Sequence, residues 1–473
     1  MRVGGSTVQA QFQTGTYLPR SYAIMTAGAI NGSFGALAST GVPTGLAATL
    51  SYTPTAVDLN LNSVLSQTTG LNGNQSAVAR AIDTGFSTGN GVNAAFSGLY
   101  GAAAGTVPPA LTHLSGEIAT GAPTATFRTM GQFLGQILDP FLDRRLGDIA
   151  PSGRVEGGGP RYAQAVVAPG MAQGMAAIDA GTPFALGQNW ASWGTVYGAS
   201  GSVDGMRGTG SSSLNTNNVG GAGGIDYRLS PTTLVGMAVG GGGTDWSLNS
   251  GGAGHSDDVE GGIYGTSRFG NAYVSGAFAY GHHDLSTNRT VLVGAVSDRL
   301  TGNVGADHVA GRAETGERFQ WMPDFGVTPY AAVQVQSLST PGYAETDRSG
   351  LTAFALNYAG NTTTDTTSEL GAKFDSQAYP VIGPFGETQV ILHGRAAWSH
   401  DFSPSRTALA NFQNLPGATF TVAGAPEASD AALLSAGAEM RLSRTMALGA
   451  KFDGAFSGRS QVFAGTAVLR INW

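Results

Sequence analysis

Two histidines that could bind a metal ion, His282 and His283, are adjacent in the sequence. Adjacent side chains on a strand point to opposite faces, so this pair cannot hold one ion between them. We expect them to be structural histidines at the rim of a strand assembly. The sequence predicts no metal site.

The other motifs that could carry chemistry are also incomplete. The glycine run at 240–243 is not followed by Lys-Ser or Lys-Thr, so a phosphate-binding loop is not supported. The sequence has no Gly-Asp-Ser and no Gly-x-Ser-x-Gly, which argues against a serine protease or esterase. With no cysteine, disulfides, zinc–thiolate sites and cysteine nucleophiles are excluded. We predict no catalytic residue, no cofactor and no enzymatic activity.

The composition indicates a large surface that faces something other than water. Glycine supplies 73 of the 473 residues, and charged residues make up only 12%. These shares are about twice and about half the usual ones. A soluble domain normally covers itself with charge. The net charge of −7 also disfavours nucleic-acid binding, because such a chain neutralises phosphates poorly.

The chain divides into regions by composition and by the period of its apolar residues. Residues 1–63 are nearly uncharged and predict short strands with frequent turns. Residues 64–146 read as helical, and 109–146 contain apolar residues at spacings of three and four. Residues 147–187 are a connector rich in Gly, Ala and Pro. Residues 188–473 show a period of two.

No apolar run in the sequence is long enough for a membrane helix, which needs roughly 18 residues. The first residues also lack the basic and apolar regions of a secretion signal. We expect the given chain to be a fragment or to have its true start upstream.

The alternation in 188–473 predicts a closed barrel. In 446–456, for example, Leu448 and Phe452 share one face, while Lys451 and Asp453 share the other. About a dozen such segments follow one another with no helix to cover a sheet, so a barrel whose apolar face meets lipid explains the pattern best. The predicted fold class is all-β: a 12-stranded antiparallel transmembrane β-barrel with strands of about 10 residues.

The connections between these segments support the same fold. Tight links with turn residues alternate with long polar segments, which is typical of outer-membrane barrels. The tight links are 228–233, 268–272 and 441–446, and the long segments are 201–217, 248–258, 286–300, 339–361 and 403–429.

In this order, the segments resemble the C-terminal part of a type Va (monomeric) autotransporter. The stretches 15–37 and 50–61 are similar to the last rungs of a β-helical passenger. Residues 74–83 and 110–122 resemble the linker, and 189–205 resemble the first barrel strand. The resemblance implies a passenger stub in 1–63, a helical linker in 64–146 and a translocator barrel in 188–473.

Three features depart from the family pattern. The last residue is Trp473 where the family usually has Phe, the 147–187 connector is long and repetitive, and the passenger is reduced to a stub. We expect any activity of the missing passenger to be absent. The aromatic end of the chain resembles the family's assembly signal, which is carried here by Phe463, Leu469, Ile471 and Trp473.

The charged faces of the strands are expected to line a wet lumen, because residues of both signs alternate along them. The predicted lumen residues are Glu369, Lys373, His393, Arg395, Glu439, Arg441, Lys451, Asp453 and Arg470, together with Asp226, Arg228, Glu260, Arg268 and Arg312. Paired lumen carboxylates cleave the linker in some family members, but no matching asparagine pair is found here.

We expect residues 109–146 to thread this lumen. At about 1.5 Å per residue, about 20 helical residues cross a membrane. Pro140 should kink or end this helix. The alternative is that its apolar stripe packs on the passenger stub or on itself.

These expectations together predict a translocator in the bacterial outer membrane that anchors and helps to export an N-terminal passenger to the cell surface. The expected partners are outer-membrane lipid, the β-barrel assembly machinery, periplasmic chaperones and the chain's own passenger, and the expected state is a monomer. The alternatives are a stand-alone porin-like channel with an N-terminal plug and a surface adhesin that acts through its stub and long loops.

Overall fold

A computed structural model describes residues 1–87, 94–103, 105–138, 189–322, 324–347, 353–383, 386–415, 417–443 and 445–472. The predicted 147–187 connector, Pro140 and Trp473 lie outside the described residues.

The C-terminal part forms one closed barrel, β6 to β23. Its wall consists of twelve long antiparallel strands, so the predicted fold class is confirmed. They are β6 Trp190–Val203, β7 Leu214–Ser230, β8 Thr233–Leu248, β9 Ala253–Phe269, β10 Ala272–Val293, β11 Val296–Glu317, β13 Phe325–Thr340, β16 Asn361–Ser376, β18 Gly386–Asp401, β21 Asp430–Arg441, β22 Met446–Phe456 and β23 Ser460–Asn472. Six short strands extend the wall: β12 Phe319–Met322, β14 Tyr343–Asp347, β15 Leu356–Tyr358, β17 Tyr379–Gly383, β19 Thr407–Phe412 and β20 Thr419–Ala423.

The last strand closes the barrel by pairing with the first. The β23–β6 ladder runs from Ser460↔Val203 to Asn472↔Ala191. This pairing leaves neither strand with a free edge, so the backbone polar groups of the wall are paired between strands.

The strands are longer than the predicted length of about 10 residues. They range from 11 residues in β22 to 22 in β10 and β11. The predicted loop at 286–300 is wrong, because β10 and β11 continue through it as a hairpin that turns at Gly294, with φ of 60°. Its apolar residues Val291, Val293 and Leu300 are buried beneath the helices described below, which stabilises the extended hairpin.

The outer face of all twelve wall strands carries exposed apolar side chains. The representatives named below have exposed fractions between 41% and 70%, and a soluble protein rarely exposes so large an apolar surface to water. The set includes Val196, Val219, Val239, Val259, Ile263, Phe278, Val309, Val333, Leu370, Leu392, Leu434, Leu448, Phe452 and Leu469.

Residues 1–63 form five short strands, as predicted. They are β1 Thr7–Gln11, β2 Arg20–Thr26, β3 Ala36–Thr40, β4 Leu46–Tyr52 and β5 Ala56–Ser63. The strands β1 and β3 pair in parallel, which is the pairing that a β-helix uses, whereas β2, β5 and β4 form an antiparallel sheet.

Three α-helices follow these strands: α1 Gly73–Ser87, α2 Val107–Leu114 and α3 Gly121–Ile137. Short 3₁₀ helices occupy Leu65–Gln67, Ala94–Leu99 and Glu117–Thr120. None of the helices in the described part of the chain combines the length and the hydropathy that crossing a membrane requires.

The helices α1 and α2 close one end of the barrel. With the strands β14, β15, β19 and β20 they form a layer that we call the cap. Its core is aromatic: the Phe96 ring meets Phe354 and Phe412 edge to face, at centroid distances of 5.2 and 5.3 Å. We call this end of the barrel the cap end. The opposite end, where tight turns such as Gly270–Asn271 join the strands, is the turn end.

Candidate functional site

The helix α3 lies inside the barrel and is held there by hydrogen bonds to several strands. Thr129 Oγ1 lies 2.8 Å from Thr244 Oγ1 on β8. Asn218 on β7 donates to Gln132 Oε1 at 2.6 Å, and Gln136 donates to Thr466 on β23 at 3.1 Å. Because these partners lie on both sides of the β6–β23 closure, the helix occupies the lumen.

The apolar side of α3 packs against large apolar side chains of the wall and against glycines between them. Met130, Phe133, Leu134 and Ile137 form a buried cluster with Trp193, Leu234 and Tyr264. A Cβ atom at Gly240 would be 3.0 Å from the Phe133 ring, and one at Gly281 would be 2.9 Å from Met130 Cε. Side chains larger than hydrogen at these two positions would occupy the space of the helix.

The predicted lumen segment 109–146 is not one continuous helix. Its first part belongs to α2, which packs in the cap. The chain then turns at Gly116, whose φ of 66° is a left-handed conformation that favours glycine. The short helix Glu117–Thr120 packs with α3 and the inner wall through Ile118, so the expectation is wrong only for residues 109–116.

A network of ion pairs lines the lumen wall on β11, β16, β18 and β22. Arg312 Nη1 donates to Glu369 Oε1 at 2.8 Å, and Arg312 Nη2 donates to Glu314 Oε2 at 3.0 Å. Lys373 on β16 also forms an ion pair with Glu314. Arg395 lies 3.5 Å from an oxygen of Glu369. These charges are paired within the wall, which reduces the cost of burying them.

The remaining predicted lumen residues lie on the same inner surface. Asp453 forms ion pairs with Arg395 at 3.5 Å and with Lys451 at 3.2 Å, and Arg470 lies 3.6 Å from Glu439. His393 and Arg441 are half-buried on the inner faces of β18 and β21. The structure brings Glu369, Lys373, Arg395, Lys451 and Asp453 into one network.

Sequence reasoning missed the central acid of this network, Glu314, and the tyrosines that support it. Tyr273 donates to Glu314 at 2.7 Å, and Tyr330 donates to Glu369 at 3.0 Å. Glu314 follows Arg312 at a spacing of two, so the parity of the strand could have placed it in the lumen.

The two adjacent histidines point to opposite sides of β10. His282 faces outward and lies 2.9 Å from Asp307. His283 is completely buried inside, where its Nε2 lies 3.2 Å from Nδ1 of His308. The expectation of rim histidines is therefore wrong for His283. No group of three or more His, Asp and Glu side chains among the described residues is arranged to hold a metal ion.

The predicted assembly-signal residues lie on β23. Phe463 and Leu469 are exposed on its outer face, and the Phe463 ring stacks on Phe452 at a centroid distance of 6.2 Å. Ile471 is half-buried. The position of Trp473 is outside the described residues, so the signal remains a prediction.

Two buried acids connect the segment from α2 to α3 with the barrel wall at the cap end. Glu345 accepts two hydrogen bonds from Arg289, each of 2.7 Å, and Arg289 also donates to the His113 carbonyl at the end of α2. Glu117, just before α3, accepts from the Ser212 N–H at 2.6 Å. Burial raises the pKa of Glu117 to about 7, although the bonds from Ser212 oppose the shift.

A family model described as the autotransporter β-domain matches residues 192–453, which is more than half of the chain. The match begins in the first barrel strand and ends in β22.

Two curated proteins are also similar, both named extracellular serine protease and both from Serratia marcescens. One is 26% identical over 245 residues, which is 50% of this chain and 22% of that protein. The other is 26% identical over 208 residues, which is 44% of this chain and 19% of that protein. The chain thus spans about a fifth of the length of these relatives.

Among solved structures, the translocator domain of the autotransporter NalP from Neisseria meningitidis matches with 15% identity and a TM-score of 0.48. The match covers 64% of this chain and 95% of that one. The β-domain of the Bordetella autotransporter BrkA matches with 18% identity and a TM-score of 0.46, over 60% of this chain and 100% of that one.

Proposed function

Because this chain belongs to the autotransporter family, we propose that its barrel anchors the residues before it at the cell surface. The barrel itself is an outer-membrane translocator for passenger export. The lipid of the bacterial outer membrane meets the exposed apolar faces of the twelve wall strands. In this proposal residues 188–473 form the barrel, residues 1–63 form the passenger stub and residues 64–146 form the linker between them.

The position of α3 is the observation that carries this proposal. The helix starts at Gly121 beside Trp246 near the cap end and ends at Ile137 in a cluster with Trp193 and Leu234. Its end therefore lies near the start of β6, where the barrel begins. A chain that runs through the lumen in this direction keeps its N-terminal part on the cap side.

The cap end is the cell-surface end in this account. The long connections and the strands β14, β15, β19 and β20 lie there, and the tight turns lie at the periplasmic end. Residues 1–63 and the helices α1 and α2 then form a surface layer that rests on the barrel's own loops.

The partners follow from the same account. Outward Phe463 and Leu469 on the closing strand suit recognition by the β-barrel assembly machinery, and a chain that crosses the periplasm requires chaperones. The barrel is proposed to act as a monomer, since its closed wall leaves no strand edge. Both relatives are named for protease activity, and we propose that the part present here transports rather than catalyses.

Surface display of an N-terminal epitope tag tests the proposal. Intact cells that produce the tagged chain should bind antibody, and external protease should remove the tag while the barrel keeps its heat-modifiable gel mobility. A chain truncated before Ser460 lacks the closing strand and should show neither property. A folded barrel with a tag that only lysed cells expose would contradict the proposal.

A further inference from the structure

Two buried carboxylates in the lumen wall have no hydrogen-bond partner among the described residues. Asp258 and Glu260 lie two residues apart on the inner face of β9, with exposed fractions of 4% and 1%. All four of their carboxylate oxygens are buried without a hydrogen bond from any described residue. They differ in this from the acids of the ion-pair network, which all have basic partners.

A buried tyrosine without a partner for its hydroxyl lies in the same row of the lumen wall. Tyr197 on β6 lies in one cross-strand row with Gly220, Gly242 and Asp258. The ring passes over Gly220, where a Cβ atom would be 2.9 Å from the hydroxyl. Tyr197 is 4% exposed, and its hydroxyl has no hydrogen-bond partner among the described residues. Gly220 leaves the space that the tyrosine ring occupies, and Gly242 adds no side chain between the ring and Asp258.

The lumen helix closes the space above Glu260. This residue lies in the next row, between Gly240 and Gly281, and Phe133 and Met130 of α3 lie over these glycines. The carboxylate is therefore enclosed by apolar side chains of the helix.

The described residues offer these carboxylates no paired basic group. His283 faces Asp258 in the β9–β10 register, but its Nε2 lies 3.2 Å from His308 and its Nδ1 has no partner. His255 lies on the outer face of β9 and pairs with Asp245 and Asp257. Burial of two adjacent anions without partners is strongly unfavourable, so the pair requires a bound cation or a proton.

We propose that Asp258, Glu260 and Tyr197 form a binding site for a hard divalent cation, Ca²⁺, between the barrel wall and the lumen helix. All the protein ligands are oxygens, which Ca²⁺ prefers, and its flexible coordination accepts water in the remaining positions. The site is absent from the sequence prediction because Tyr197 and Asp258 are brought together only by the strand register. Bound Ca²⁺ neutralises the wall beneath α3 and so stabilises the plugged barrel.

The test measures thermal unfolding of the full chain, refolded in detergent micelles and treated with EDTA. Millimolar CaCl₂ should raise the unfolding midpoint, and MgCl₂ should raise it less, because Mg²⁺ demands a stricter octahedral shell. Asp258→Asn and Glu260→Gln should abolish the calcium response. Both should fold without calcium at least as stably as the wild type, since a buried amide costs less than a buried anion. Terbium luminescence, sensitised by nearby aromatic rings, provides a direct binding signal that the two variants should lose.

The matched control is Asp257→Asn, which removes the neighbouring carboxylate from the outer face of β9, where its side chain is 78% exposed. This variant should keep the full calcium response. The proposal is overturned if calcium leaves the wild-type midpoint unchanged or if the control loses as much response as Glu260→Gln. It is also overturned if acid alone stabilises the wild type and calcium adds nothing, because the carboxylates would then share a proton.

Discussion

Phe133 of the lumen helix lies so close to Gly240 of the barrel wall that a Cβ atom on that glycine would be 3.0 Å from the aromatic ring. The neighbouring Gly262 makes the same approach to Phe133, at 3.2 Å. The small residues of β8 and β9 thus set the position of the helix, which explains part of the high glycine content of the chain.

Gly240→Val should therefore displace α3. The added Cβ atom and its two methyl groups enter the space of Phe133, and overpacking of this kind costs about 2 kcal/mol. We expect a lower unfolding midpoint and a larger conductance in planar bilayers than for the wild type. Gly261→Val places the same side chain on the outer face of β9, where little lies within contact distance, and should leave both properties unchanged. Equal conductance of Gly240→Val and the wild type would contradict the packing account.

Arg312→Met should destabilise the barrel strongly. Arg312 is the shared partner of Glu314 and Glu369, and removal of one member of a buried pair costs about 3 kcal/mol. The comparison is Arg318→Gln, which breaks the more exposed pair with Asp375 and should cost at most about 1 kcal/mol. Guanidinium unfolding in micelles measures the difference. Similar midpoints for the two variants would show that the network is not buried in the folded barrel.

Glu345→Gln should loosen the cap without opening the barrel. It leaves the charge of Arg289 buried without its bidentate partner, at a contact that also reaches the α2 carbonyl of His113. Limited proteolysis should then cleave residues 1–138 several times faster, while the heat-modifiable mobility of the barrel persists. An unchanged cleavage rate would mean that this ion pair does not hold the cap.

The stability of the cap end should depend on pH through Glu117. Its pKa is raised to about 7 from the value of 4.5 for a free carboxyl group, so the folded state binds the proton more tightly. The contribution of Glu117 to the free energy of unfolding is therefore largest below about pH 4.5, falls as the pH rises to about 7, and then stays constant. Glu117→Gln should reduce the difference in unfolding midpoint between about pH 5 and about pH 8. Identical differences in the variant and the wild type would contradict this assignment.

The sequence predicted the barrel because its period of two is strong where lipid and lumen require opposite chemistry. In β22 the outer face carries Leu448 and Phe452, and the inner face carries Lys451 and Asp453. This contrast is enough to identify the lipid-facing and the lumen-facing surface. The hairpin beyond residue 286 could not be predicted in this way. Its polar outer residues read as a loop, and its buried partners lie in helices more than 170 residues earlier, as in the contact of Arg289 with His113.

The details of the lumen depend on register, which the sequence does not determine by itself. His283 and His308 meet inside the wall although they lie 25 residues apart, and Tyr197 shares a cross-strand row with Asp258 through two glycines on other strands. The break at Gly116 that separates α2 from α3 was missed because the apolar spacing continues across it.

The most direct test of the central claim, that α3 occupies the lumen of an outer-membrane barrel, is a cysteine cross-link in cells. The chain has no native cysteine, and Thr129 Oγ1 of α3 lies 2.8 Å from Thr244 Oγ1 of the wall. Thr129→Cys combined with Thr244→Cys should form a disulfide in the outer membrane of intact cells, detected by gel mobility after heating without reductant. Thr129→Cys combined with Thr233→Cys, at the turn end of the same strand, should not cross-link. Failure of the first pair to cross-link in a barrel that is folded in the membrane would contradict the account.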